Sequence, residues 1–157
     1  RDRDPGACDA LAQQLAQRLR EFRFRQFVFD CQWRELRAYA NRRGVQLFGD
    51  IPIFVSYDSS DVWANREVFK LDESGEMLVV AGVPPDYFSP TGQLWGNPLY
   101  KWSAHKKQNY RWWIDRFQAV LNTVDIVRLD HFRGFAGYWE VPGNALTAAK
   151  GRWVPGL

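Results

Sequence analysis

The 157-residue sequence predicts an α/β fold, a sector of a (β/α)8 barrel interrupted by an insertion that carries a hairpin and a long aromatic loop. Three observations predict it. Two short apolar runs, Val45–Phe48 and Asp125–Leu129, each deliver a carboxylate toward the carboxyl end, Asp50 and Asp130. Residues at the carboxyl ends of parallel barrel strands line the active face. An amphipathic pattern from Lys106 to Leu121 feeds the second run directly, so the middle of the chain reads strand, excursion, helix, strand, the order of a βα unit with an inserted subdomain.

Asp4 followed by Pro5 is a helix start, a capping side chain before a proline at the first helical position. Cys8, Leu11, Ala12, Leu15, Leu19 and Phe22 recur at helical spacing. Phe22 to Phe29 alternates like a strand. Yet Phe29, Trp33, Leu36 and Ala40 continue a helical stripe with no turn residue before Gly44, which predicts a helix over Phe24–Arg43 ended by that glycine. Asp50, just before Ile51-Pro52, serves equally as a turn cap. Residues 56–105 read as the inserted subdomain or lid region. Within it, Ser59–Glu67 is a short helix or turn, and Phe69–Val80 a hairpin with Asp72-Glu-Ser-Gly75 at its tip. Ala81–Pro98 holds four prolines and three glycines and is predicted to be one long irregular loop. Loops of that length are usually lids or binding segments. Its Tyr87, Phe88 and Trp95 stack on a ligand or anchor the loop to its own protein. In the helix that follows, Tyr110, Trp113, Ile114, Phe117 and Leu121 share one face, opposite Lys107, Arg111 and Asp115.

Composition narrows the function classes. Hydrophobic content of 46% and aromatic content of 16% exclude a disordered chain. Eight tryptophans, six tyrosines and eleven phenylalanines exceed what a core needs and point to binding surfaces. The 21 basic residues nearly balance 18 acidic ones and form no run, so no nucleic-acid stripe is expected. Cys8 and Cys31 are too few for a disulfide scaffold and lack metal-ligand spacing, which fits a reduced, cytoplasmic setting. No apolar stretch approaches the ~20 residues of a membrane span, and no secretory-signal layout opens the chain. The abrupt termini have the look of an internal piece of a longer protein.

Chemistry concentrates in Asp125–Pro142. Strand alternation puts Arg128 and Asp130 on one face and Val127 and Leu129 on the other. His131 follows at once, with Phe132, Phe135, Tyr138 and Trp139 around it. A carboxylate can attack or stabilise an anomeric carbon, and flat rings pack on sugar faces. Taken alone, however, Arg-x-Asp-His also fits a core ion pair.

The segments together resemble the 4-α-glucanotransferases known as amylomaltases or disproportionating enzymes. The matching stretches are Arg42–Val55, Asp61–Ala64, Gly82–Ser89, Gly92–Tyr100 and Val127–Phe135, and the Gly-Val-Pro-Pro-Asp-Tyr-Phe-Ser run is very specific to that family. The Arg-x-Asp-His piece is shared with the wider α-amylase group. The resemblance implies a (β/α)8 barrel that transfers α-1,4-glucan segments between maltooligosaccharides with retention, without metal or cofactor. It implies Asp130 as nucleophile, Arg128 as its supporting arginine and His131 as a substrate contact. Asp50, Asp86, Tyr87, Phe88, Gln93 and Trp95 fall where the family builds its glucan cleft and lid. The family's acid/base glutamate motif and third carboxylate do not occur here, and Glu140 matches a non-catalytic family segment. The chain by itself is therefore expected to be inactive. An α-amylase-like hydrolase and a non-catalytic glucan-binding module remain the alternative readings. The residues carry no reading of oligomeric state.

Overall fold

In the computed structural model, which describes residues 3–157, helices and strands are interspersed along the chain and separate into two units. One comprises the residues up to Asp50 with 115–128; the other comprises 51–114 with 129–157.

The first unit opens with α1 (Pro5–Gln14), where the Asp4 carboxylate accepts from Ala7 N at 2.7 Å and Pro5 takes the first turn. The sequence reading placed the helix boundary near Phe22–Phe24. It lies at Leu15 instead, and α2 runs unbroken over Ala16–Asn41. Nothing between those residues is a glycine or proline, so local alternation does not end a helix. The expected apolar stripe is not what fastens α2 either. Phe29 and Leu36 are exposed. Trp33, Arg37 and Asn41, four residues apart and so on one helical face, donate hydrogen bonds to the segment before β4 (Ile126–Leu129). Trp33 Nε1 reaches Thr123 O at 2.6 Å, and Arg37 also reaches the Leu121 and Asn122 carbonyls. Asp125 gathers the rest: Arg37 Nε, Asn41 Nδ2 and Leu47 N all donate to its carboxylate at 2.8 Å.

Strand β1 (Phe48–Ile51) starts three residues later than predicted and pairs with β4. Leu47 O accepts from Asp125 N and Ile126 N, and Ile51 O accepts from Asp130 N at 3.1 Å. Contacts that ascend both strands together make the pair parallel. Gly49 is needed there, because a Cβ would lie 2.8 Å from Val124 Cγ2.

The second unit is built on an antiparallel sheet in the order β3-β2-β5-β6: β2 is Val79–Val83, β3 Gln93–Pro98, β5 Gly137–Pro142 and β6 Arg152–Pro155. This corrects the prediction of one irregular loop over Ala81–Pro98. Val80 lies opposite Pro98, Gly82 opposite Leu94 and Val83 opposite Gln93, so only residues 84–92 are loop. Two of the glycines that suggested an irregular loop are strand residues, and Pro98 ends its strand, where a missing N–H is tolerated. The Phe69–Val80 hairpin shrinks to one bridge, Leu71 to Met77, because Val79 onward pairs with β3 and β5. The single helix predicted from Lys106 becomes α4 (Trp102–Lys107) and α5 (Arg111–Leu121), separated where Asn109 and Tyr110 adopt φ of 50° and 56°.

Aromatic rings fill the interior of this unit. Tyr100 is buried against Phe69, Trp112 and Trp113, and its hydroxyl donates to Ile53 O at 2.6 Å. Burying a side chain such as Phe69 contributes about 1.5–3 kcal/mol. Glu140 is only 3% exposed, on β5. Lys70 Nζ donates to it at 2.6 Å and Arg152 from β6 at 2.7 Å. Burial pushes the Glu140 pKa up, but these two cations outweigh it and leave it below the usual carboxylate range. Among the described residues no helix is long and apolar enough to cross a membrane.

The amide of Leu47, then Asn41 and Arg37, hold Asp125 at about 2 against an ordinary 3.8. A folded-state pKa below the unfolded one stabilises fully above the unfolded value and is lost as pH falls through the folded one. Urea unfolding should therefore lose stability between roughly pH 4 and 2 more steeply in the wild type than in D125N. Parallel profiles for the two would contradict this role.

Candidate active site

The carboxyl end of β1 presents Asp50, and the third position of β4 presents Arg128, both in the first unit. The guanidinium forks onto the carboxylate, Nε to Oδ1 at 3.0 Å and Nη2 to Oδ2 at 2.5 Å. The Asp50 and Arg128 side chains are 48% and 60% exposed, respectively. An exposed pair contributes only about 0–1 kcal/mol to stability. Its use lies in orientation, since a two-pronged Arg–carboxylate contact fixes both groups.

In the second unit Asp130 is exposed, with its amide tied to Ile51 O. His131 next to it adopts φ 49° and ψ 45°, a left-handed conformation uncommon for a residue with a side chain and often found where a site demands it. A short 3-10 turn, Phe132–Phe135, follows. Its Gly134 approaches Ile53 so closely that a Cβ would lie 2.5 Å from Ile53 Cδ1. The His131 ring is turned edge-on to Trp95, with centroids 4.9 Å apart. Trp95 in turn donates from Nε1 to Gln93 Oε1 at 3.0 Å and leans on Phe54. Burial lowers the His131 pKa, and Arg133 adds to that, against the opposing pull of the Asp130 charge.

The loop between β2 and β3 carries Tyr87 and Phe88, 95% and 89% exposed and packed edge to face on one another. The Asp86 carboxylate accepts from Phe88 N at 2.9 Å and Ser89 N at 2.8 Å. Ser89 then brackets Gly92, its hydroxyl donating to Gly92 O and its carbonyl accepting from Gly92 N. Gly92 has φ +69°, and a Cβ there would collide with the Val83 carbonyl. The base of the loop is thus closed by hydrogen bonds, and Asp86 shapes it.

Of the residues singled out in the sequence, Asp50 and Arg128 are joined in one unit. Gln93, Trp95 and His131 form a contiguous group in the other, beside exposed Asp130. Tyr87 and Phe88 pair at the loop tip. Sequence reasoning marked Gly134 as a turn residue but missed its close approach to Ile53, and it missed Phe54 behind Trp95, for which the apolar run Ile51-Pro-Ile-Phe-Val55 was the signal.

The chain thus carries a carboxylate–arginine pair in one unit and, in the other, a carboxylate and a histidine with rings that project into solvent, residue types that recur in proteins acting on carbohydrates. The whole chain, residues 1–157, matches the family model described as 4-alpha-glucanotransferase, and it belongs to that family. It is 58% identical over 131 residues to the 4-alpha-glucanotransferase of Aquifex aeolicus, covering 83% of this chain and 27% of that protein. Against the enzyme of the same name from Synechocystis the identity is 53%, over 98% of this chain and 30% of the relative. A solved amylomaltase from Streptococcus agalactiae, in complex with acarbose, superposes with a TM-score of 0.93 at 45% identity, over 98% of this chain and 31% of that one. The chain therefore spans less than a third of the length of these relatives.

The two histidines, His105 and His131, make proton NMR titration simple to assign. His131 should titrate below the ordinary 6.5. W95A, which uncovers its ring, should move the midpoint back up toward that value; an unchanged or lowered midpoint would contradict the packing described.

Proposed function

We propose that the chain supplies the nucleophile and the aromatic lid of a retaining 4-α-glucanotransferase, with Asp130 as the nucleophile. The observation that carries the reading is an exposed carboxylate directly before a left-handed His131 braced on Trp95. Family membership and the parallel β1–β4 pair support reading the chain as a sector of a (β/α)8 barrel, with Asp50 and Asp130 at strand carboxyl ends. The S. agalactiae neighbour, solved with acarbose, supports an α-glucan as ligand.

In this reading the Asp130 carboxylate attacks the anomeric carbon of the donor. The bond to the leaving glucan breaks as a general acid protonates its oxygen. An acceptor hydroxyl then attacks the glycosyl ester, loses its proton to the conjugate base and frees Asp130. Glu140 is not that acid, because it is buried and held ionised by Lys70 and Arg152. Its place is taken by a residue elsewhere in the enzyme. Arg128 supports the nucleophile from the alternate position of β4, oriented by its fork onto Asp50. His131 and Gln93 contact sugar hydroxyls, and Trp95 offers a ring to a sugar face. Tyr87 and Phe88, on the loop that Asp86 shapes, cover the acceptor side and keep water from the intermediate.

Two variants of the complete enzyme test this. D130N should lower glucose release from maltotriose by at least about 10⁴-fold while binding of the oligosaccharide is retained. Y87A with F88A should leave bond cleavage largely intact and raise hydrolysis relative to transfer. Normal turnover in D130N would rule out the nucleophile, and an unaltered partition in the loop variant would reduce the two rings to loop furniture.

A further inference from the structure

Beyond buried Val55 the chain turns through Tyr57 and Asp58 into α3 (Ser60–Ala64), where the Ser59 hydroxyl oxygen accepts from Val62 N at 3.3 Å. This helix turns Val62 inward and leaves Trp63 47% exposed. A second wall comes from the turn before Glu76. There the Asp72 carboxylate accepts from the Ser74 hydroxyl at 2.7 Å and from Glu76 N at 2.9 Å. Gly75, with φ +88°, ties the walls together. Its carbonyl accepts from the Tyr57 hydroxyl at 2.7 Å, and the Arg66 guanidinium fills the space a Cβ would need. Arg66 also donates to Glu73 O at 3.2 Å. Between these walls lies a cavity of about 320 Å³. Its boundaries are hydrogen-bonded to one another, so it exists before any ligand arrives. It shares no lining residue with the groups around Asp130.

The lining selects a ligand. The Trp63 indole and the Tyr57 ring offer apolar faces. Asp58 offers an acceptor, Arg66 brings its guanidinium to the lining, and the hydroxyl of Ser59 adds a third polar group. One carboxylate and one guanidinium cancel, which favours a neutral polyol over a phosphate or a cation. The volume sits at the small end of ligand sites, which run roughly 300–1,000 Å³. It suits one or two rings and not a long chain. We infer that this cavity is a second carbohydrate site, taking one or two neutral pyranose units at the far end of an α-glucan. The choice of an α-glucan rests on the proposed function; the cavity and its neutral polar lining do not.

The test follows the indole N–H signals of the complete enzyme by proton–nitrogen NMR during titration with maltose. The Trp63 signal is identified by its absence in W63F. It should shift saturably with maltose, and D58A should weaken that response by about tenfold, the remaining indole signals showing that the variant is folded. W95A should leave the Trp63 response as it is. A Trp63 signal that maltose does not move, or moves equally well in D58A, would overturn the inference. So would inorganic phosphate shifting it at lower concentration than maltose. None of these results bears on Asp130, whose role is read from turnover of D130N; conversely, normal turnover in D130N would leave a Trp63 response to maltose standing.

Discussion

The carboxylate of Asp125 is the point on which the first unit depends. It collects Arg37 and Asn41 from α2 and the amide of Leu47 from the entry to β1, so one side chain sets where β4 begins. Register matters more here than contact energy. Strand side chains alternate with a period of two, and a slip of one residue would exchange the faces of Arg128 and Val127. With Asp125 held, Val127 is half-buried and Arg128 emerges to meet Asp50. Gly49 completes the arrangement by admitting Val124 against β1.

The second unit solves a different problem, that of holding bulky rings in water. Two groups of its aromatic residues stand at opposite extremes of burial. Phe69, Tyr100, Trp112 and Trp113 are buried and edge-packed around one another, which is the work of a core. Tyr87 and Phe88 stand almost fully in solvent, on a loop whose base is closed by Asp86, Ser89 and Gly92. Behind that loop β2 pairs with β5, and β5 is neutralised at Glu140 by Lys70 and Arg152. A paired sheet carrying a loop closed by hydrogen bonds at its base is what presents these rings to solvent.

How far the sequence was legible follows from what each signal measures. The strand at 126–129 and its polar face were readable because alternation is local, and the segment shows it. The family itself was legible in runs such as Gly-Val-Pro-Pro-Asp-Tyr-Phe-Ser, which are long and specific. The sheet hidden in Ala81–Pro98 was not readable. Prolines and glycines report backbone freedom, and here Gly82 sits in a strand because Gln93 O passes too close for a Cβ, a fact about a partner distant in the chain. Strands β5 and β6 escaped for the same reason, since their pairing is a long-range property. The fastening of α2 by Trp33, Arg37 and Asn41 was masked by more conspicuous phenylalanines, which stay exposed on this chain.

The central claim, that Asp130 bears the glycosyl group, has a direct chemical readout. Cleavage after Arg128 and Arg133 isolates Leu129-Asp-His-Phe-Arg133 as a peptide with Asp130 as its one carboxylate side chain. The complete enzyme is incubated with a fluorinated maltosyl donor that forms the intermediate faster than it breaks down, then quenched in acid, digested and mapped by mass spectrometry. A maltosyl mass on that peptide, absent from D130N, is the expected result. A maltosyl ester on any other carboxylate, or an unlabelled peptide from enzyme that has released its fluoride in a burst, would contradict it.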